Sequence, residues 1–187
     1  MRTHSSETRR ALLVVDVQKD FCPNGALPSA SGSKIIPVIN QLLPKFNFVI
    51  ASKDWHPQET IHFEKWPKHC VRGTEGAAFH EDLHEKYIDL VALKGTGNTD
   101  DGYSAFEATN IDLNFELKKR GVEGLIIVGL TTEYCVKATA LDASHLGFKV
   151  YLVNNAVAPV EEEDEAKALQ EMKEAGISII QSKDVQG

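Results

Sequence analysis

Six short apolar runs, rich in β-branched residues, punctuate the chain: ALLVVDV at 11–17, FNFVIAS at 46–52, YIDLVALK at 87–94, GLIIVGL at 124–130, FKVYLV at 148–153 and ISII at 177–180. Runs of this length with little polar alternation are expected of strands covered on both faces, because neither side has to meet water. Helical spacing fills the intervals. Within 33–46 the stripe Ile35, Ile36, Ile39, Leu42, Leu43 and Phe46 predicts a helix, with Pro37 near its first turn and Pro44 placed to end or kink it. Segments 111–120, 133–146 and 163–175 each run into a glycine, Gly121, Gly147 and Gly176, the residue that takes the left-handed position past a helix end. Alternating strands and helices predict an α/β three-layer sandwich, with a mostly parallel six-stranded sheet flanked by helices on both faces. There is no repeat, low-complexity tract or linker, so the expectation is a disordered tail over 1–10 and a single domain over 11–187.

Two connections are longer than this scheme needs, 18–32 and 53–86. Uninterrupted loops of more than ~15 residues in a compact domain are usually functional or disordered. The second carries Trp55, Phe63, Trp66 and Phe79, too much apolar area for a floppy linker, so both loops are expected to fold over something.

Composition narrows the function classes. With 42% hydrophobic and 25% charged residues the chain has ordinary globular usage, and a net charge of -7 with scattered Lys and Arg removes the basic face that nucleic acid requires. MRTHSSETRR has no apolar signal core and no run approaches the ~20 residues of a membrane span, which predicts a cytoplasmic protein without membrane partners. Three cysteines, Cys22, Cys70 and Cys135, make an odd count that argues against a disulfide framework.

Candidate chemistry gathers at one rim. Ligands of open parallel sheets bind outside the carboxyl ends of the strands, and Asp16, Asp54, Lys94 and Cys135 all follow or end strands there. A thiol at a helix N-terminus near a lysine is expected to ionise more readily than usual, and backbone N–H groups at the same turn could hold an oxyanion. Taken singly, each has a plainer reading: Cys135 as a small buried hydrophobe, Asp16 as a turn residue, Lys94 as a snorkelling strand end. In KDWHPQETIHFEKWPKHC, Asp54 and His56 point the same way in an extended segment, and His62 and His69 can close a metal site from the folded loop. Mixed oxygen and nitrogen donors suit zinc, iron or manganese without choosing among them. Cys70 competes as a ligand but is better read as a packed thiol. His80 and His84 are read as helix-surface residues, and EEEDE at 161–165 as a solvated helix start whose acids suit the positive dipole end.

In this order the motifs closely resemble the nicotinamidase/pyrazinamidase branch of the isochorismatase-like cysteine hydrolases. VVDVQKDFCPNGAL carries the family aspartate, Asp16; KDWHPQETIHF and WPKHCVRGTEGAAFH the metal segment; LKG the lysine, Lys94; DGYSAFE the loop after it; and VGLTTEYCV the nucleophile, Cys135. The resemblance implies an isochorismatase-like fold and hydrolysis of nicotinamide, and of pyrazinamide, to the acid and ammonia through a cysteine thioester, in NAD salvage. It implies Asp16, Lys94 and Cys135 as catalytic residues, Thr131 and Cys135 N–H groups as the oxyanion hole, and a cis peptide between Leu130 and Thr131. One divalent metal, zinc first, is expected on Asp54, His56, His62 and His69, orienting the substrate ring, with Phe21, Trp66 and Tyr103 as the aromatic wall. Glu133 departs from the aspartate more usual two residues before the nucleophile, which leaves the cap of that helix open. Other readings are a hydrolase of other small amides, a metal-hydroxide enzyme with Cys135 as bystander, and a silent binding protein; homo-oligomerisation is left open.

Overall fold

The computed structural model describes residues 9–186. Its six strands are β1 (Arg10–Val15), β2 (Val49–Asp54), β3 (Leu90–Lys94), β4 (Gly124–Leu130), β5 (Lys149–Ala158) and β6 (Ser178–Ile180). All pair in parallel in the order β3-β2-β1-β4-β5-β6. Each apolar run of the sequence is therefore a strand. The tail expected over 1–10 lies outside the described residues as far as residue 8, and the expectation fails at its end, because Arg10 already pairs with Gly124 as the first residue of β1.

Side chains alternate across the sheet and build a core on each face. Leu12 and Val14 join Ile36, Ile39 and Leu42 of α1 (Ile36–Leu42) and residues of both long loops, among them Phe21, Ala77 and Phe79. Ala11, Leu13 and Val15 face α2 (Leu113–Lys119), α3 (Lys137–His145) and α4 (Glu162–Glu174) through Leu113, Leu117, Ala140, Ala143 and Met172. Three layers result. Gly121, Gly147 and Gly176 all have positive φ just past their helices.

Element ends differ from the pattern for local reasons. The helix expected over 33–46 is a seven-residue α-helix between two 3-10 turns: Pro37 sits in its first turn, and Pro44 lies in the 3-10 turn Leu43–Lys45 that follows. β5 runs five residues beyond the apolar run; a register shift against β4 between Ile127 and Gly129 takes up Asn154 and Asn155, residues that strands ordinarily disfavour. His80 and His84 do not lie on a helix as expected: the chain at 80–84 is a turn pinned by Leu83 N–H to the His80 carbonyl and His84 N–H to Asn40 Oδ1. Among the described residues no helix is long and apolar enough to cross a membrane.

The topology fixes where a site can form. β1, β2 and β3 proceed to one side and β4, β5 and β6 to the other, so the strand order reverses between β1 and β4, and a crevice opens there beyond their carboxyl ends. Both long loops fold over that crevice. Gln18, fully buried, stitches them down by donating to the carbonyls of Asp54 and Ala77, and its own carbonyl accepts the Asp54 N–H.

Candidate active site

Asp16 follows β1 directly with φ of 48°, a left-handed conformation that non-glycine residues adopt only at a cost. Its Oδ1 accepts from Ser52 Oγ at 2.7 Å. Lys94, the last residue of β3, is wholly buried; its Nζ lies 2.7 Å from Asp16 Oδ2 and 3.4 Å from Cys135 Sγ, donates to the Gly102 carbonyl at 2.7 Å, and contacts Asp54 Oδ1. Side-chain donor atoms of Asp16, Asp54 and Cys135 all fall within 4.8 Å of one another. Asp16 Oδ2 is thus ion-paired with Lys94, and the Asp16 carboxylate stands beside the Cys135 thiol.

Charges in this cluster set its protonation. Burial pulls the Lys94 ammonium down, but Asp16 and Asp54 outweigh it and hold it well above its ordinary value. Burial pushes the Asp16 carboxyl up, opposed by Lys94. Burial likewise pushes the Cys135 thiol well up, with Lys94 opposing and both aspartates adding to the rise. This corrects the expected easily ionised thiol. Cys135 does lie in the first turn of a helix, the π-helical Thr132–Val136 that runs on into α3, but burial is the largest influence on its thiol and exceeds the opposing pull of Lys94. The resting pair is a thiol beside a carboxylate able to accept its proton. Leu130–Thr131 is cis, and Thr131 lines the same cleft as Cys135.

The histidines converge beside this cluster. Every Nδ1 already has a partner: the Gly95 carbonyl for His56 at 2.9 Å, Asp100 Oδ1 for His62 at 3.0 Å, and the Pro67 carbonyl for His69 at 2.6 Å. Acceptors at all three Nδ1 positions leave each Nε2 as a lone-pair donor, the tautomer a metal needs. His56 Nε2 is buried without a partner, and Asp54 Oδ2 lies 3.4 Å from it and 3.6 Å from His69 Nε2. One donor atom from each histidine falls within 4.8 Å of the others. An orphaned buried nitrogen, three oriented imidazoles and a carboxylate that burial would push up but Lys94 holds well below its usual range fit a divalent cation. His62 is pushed down by burial and then by His56, which keeps it neutral. Cys70 stays outside the cluster as a packed residue, fully buried with a thiol pushed well up by desolvation.

One cleft joins the two clusters. It has about 360 Å³ including its mouth and is lined by Thr131 and Cys135 together with Asp54, His62 and His69. Phe21, Trp66 and Tyr103 also line it. Sequence reasoning missed Tyr134, Leu27 and Val160 in the same wall. Tyr134 was within reach, being next to Cys135 and edge-on to Trp66 with centroids 4.9 Å apart; Val160 arrives from the far end of β5 and carries no local signal. Asp100, which holds His62, was also missed because it sits in an aperiodic loop.

The isochorismatase domain model matches residues 10–184. The chain is 37% identical to the nicotinamidase of Escherichia coli over 91% of this chain and 93% of that one. Among solved structures, the pyrazinamidase of Pyrococcus horikoshii in complex with zinc is 46% identical with a TM-score of 0.85, covering 92% of this chain and 99% of that one. PnC1 from L. infantum, in complex with nicotinate, is 32% identical with a TM-score of 0.90, covering 96% of each chain. With the domain matched from β1 to beyond β6, this chain belongs to the isochorismatase family.

Proposed function

We propose that the protein is a nicotinamidase, an amidohydrolase that converts nicotinamide, and pyrazinamide, to the carboxylic acid and ammonia in NAD salvage. One observation carries the reading: a single cleft is lined both by Cys135 and by Asp54, His62 and His69, with aromatic side chains between. A pyridine carboxamide has matching ends, an electrophilic carbonyl and a ring nitrogen. Its flat ring suits the wall of Phe21, Trp66 and Tyr103. The similarity to nicotinamidases and pyrazinamidases supports the substrate class.

The chemistry follows from the placement of the side chains. Asp16 takes the Cys135 proton, and Lys94, paired with Asp16 and 3.4 Å from sulfur, stabilises the thiolate that forms. Sulfur adds to the amide carbon, and the N–H groups of Thr131 and Cys135 hold the developing oxyanion. Asp16 returns its proton to the departing nitrogen, so ammonia leaves and a thioester remains on Cys135. Asp16 then takes a proton from water, whose oxygen displaces sulfur and yields nicotinate. Asp54, His56, His62 and His69 would hold a divalent cation, zinc, iron or manganese by their donor types, which would supply a Lewis-acid site for the ring nitrogen. The partner of the site is thus a small molecule, with neither nucleic acid nor membrane required, and the cytoplasm is the compartment assigned.

Quantifying nicotinate and ammonia from purified protein tests this. Cys135→Ala is expected to lower kcat by at least about 10⁴-fold and Asp16→Asn by about 10²–10⁴-fold. Undiminished turnover by Cys135→Ala would instead favour a metal-hydroxide mechanism. No acid from the wild type removes the nicotinamidase reading altogether.

A further inference from the structure

Asp100 lies behind the cleft wall, bonded to two residues that line it, His62 and Tyr103. Its Oδ1 accepts from Tyr103 Oη at 2.9 Å and pairs with His62 Nδ1 at 3.0 Å, while its Oδ2 contacts Lys65. Trp66 Nε1 donates to the same Tyr103 hydroxyl at 3.0 Å, and the Trp66 indole stacks over His62 with centroids 6.3 Å apart. One carboxylate therefore connects a histidine of the metal cluster to Tyr103 and, through its hydroxyl, to Trp66, two of the aromatic side chains that line the cleft. Nearby bonds sew the same two loops together: Asn98 Oδ1 accepts the Ile61 N–H at 2.8 Å, and Thr60 Oγ1 donates to the Gly97 carbonyl at 3.4 Å. Thr60 Oγ1 also accepts the His62 backbone N–H at 3.3 Å, but neither bond reaches the His62 ring or the wall.

We infer that Asp100 is a positioning residue that couples metal occupancy to closure of the aromatic wall: fixing His62 fixes Asp100, and through the Tyr103 hydroxyl it fixes Tyr103 and Trp66. The inference rests on the reading of Asp54, His56, His62 and His69 as metal ligands. Coupling of this kind is reciprocal, so a change at the wall must also be felt by the metal, and the reverse.

The test uses substrate-free protein with Trp55→Phe, which leaves Trp66 as the only indole. Zinc affinity is measured by competition with a chromophoric chelator, and Trp66 accessibility by acrylamide quenching with and without zinc. In the parent, zinc is expected to lower quenching. In Asp100→Ala, zinc affinity is expected to fall about 10–100-fold, and quenching at saturating zinc to stay at the zinc-free level. Asp100→Asn, which keeps the shared acceptor oxygen, is expected to restore most of both. Tyr103→Phe keeps the carboxylate on His62 but removes the link, so it should lose the quenching change and weaken zinc less than Asp100→Ala does; this variant tests the coupling even where Asp100→Ala fails to fold. Parental zinc affinity in Asp100→Ala, or a parental quenching response in Tyr103→Phe, overturns the inference. A parent chain that binds no zinc overturns the metal assignment first, and the coupling with it.

Discussion

His56 can offer its Nε2 to a cation only because Gly95 leaves room for its ring. A Cβ on Gly95 would lie 2.5 Å from His56 Cε1 and 2.8 Å from Nδ1, and the residue also has φ of +63°. Gly95→Ala is therefore expected to displace the imidazole and weaken zinc binding by about 10–100-fold, measured by chelator competition; unchanged affinity would show that His56 is not a ligand. Cysteines separate in the same way by environment. Cys22 is buried, and desolvation pushes its thiol up to about 11. It should resist iodoacetamide at pH 8 in the native protein, as should Cys70, whereas Cys135 lines the cleft. Peptide mapping that finds Cys22 labelled first contradicts this. At this scale the sequence was legible where donors crowd, in Asp54, His56, His62 and His69. It was silent on the groups that orient them, because the carbonyl of Gly95 and the carboxylate of Asp100 reach their histidines across 39 and 38 residues of chain.

Glu133 shows how an element is placed by a residue that no local rule assigns. The open question of the helix cap resolves outward: Glu133 caps no turn of its own helix, and its Oε1 accepts the N–H groups of Val160 at 2.7 Å and Glu161 at 2.9 Å. The nucleophile turn is thereby tied to the end of β5 and the entry to α4, and Val160 is held in the cleft wall. Glu133→Ala strands two N–H donors and is expected to cost about 1–3 kcal/mol, read as a lowered Tm together with a raised KM for nicotinamide; a Tm equal to wild type contradicts the tie. Thr132 and Glu165 add a second bond between the same elements at 3.1 Å, so EEEDE at 161–165 is not wholly a solvated helix start. Strands were readable because burial on both faces leaves an unbroken apolar run. Their ends were not, since Asn154 and Asn155 join β5 only through a register shift set by its neighbour. Nor could periodicity trace the segment between β2 and β3, whose path is set by contacts such as Gln18 to Ala77.

For the whole molecule, buried thiols set a limit on the alkaline side. Cys22 binds its proton more tightly folded than unfolded, so between about pH 9 and 11 the folded state holds a proton that the unfolded state has released. Its contribution is intact below about pH 9 and is lost as pH rises toward 11; Cys70 and Cys135 shift in the same direction. Tm should thus fall across this window in the wild type and fall less in Cys22→Ala, by scanning calorimetry; identical slopes would contradict it. Sheet order brings the distant parts together: Asp16, Asp54 and Lys94 leave three adjacent strands, and Cys135 faces them across the β1–β4 crevice. The sequence placed these residues on one rim but carried no information on which strands adjoin. The most direct measurement is intact-protein mass spectrometry of the enzyme mixed with nicotinamide and quenched in acid within the first turnovers. A nicotinoyl group attached to Cys135, absent from Cys135→Ala, is the result expected of a sulfur nucleophile and a metal site sharing one cleft. Nicotinate released at full rate with no acyl group ever found on that sulfur would contradict it.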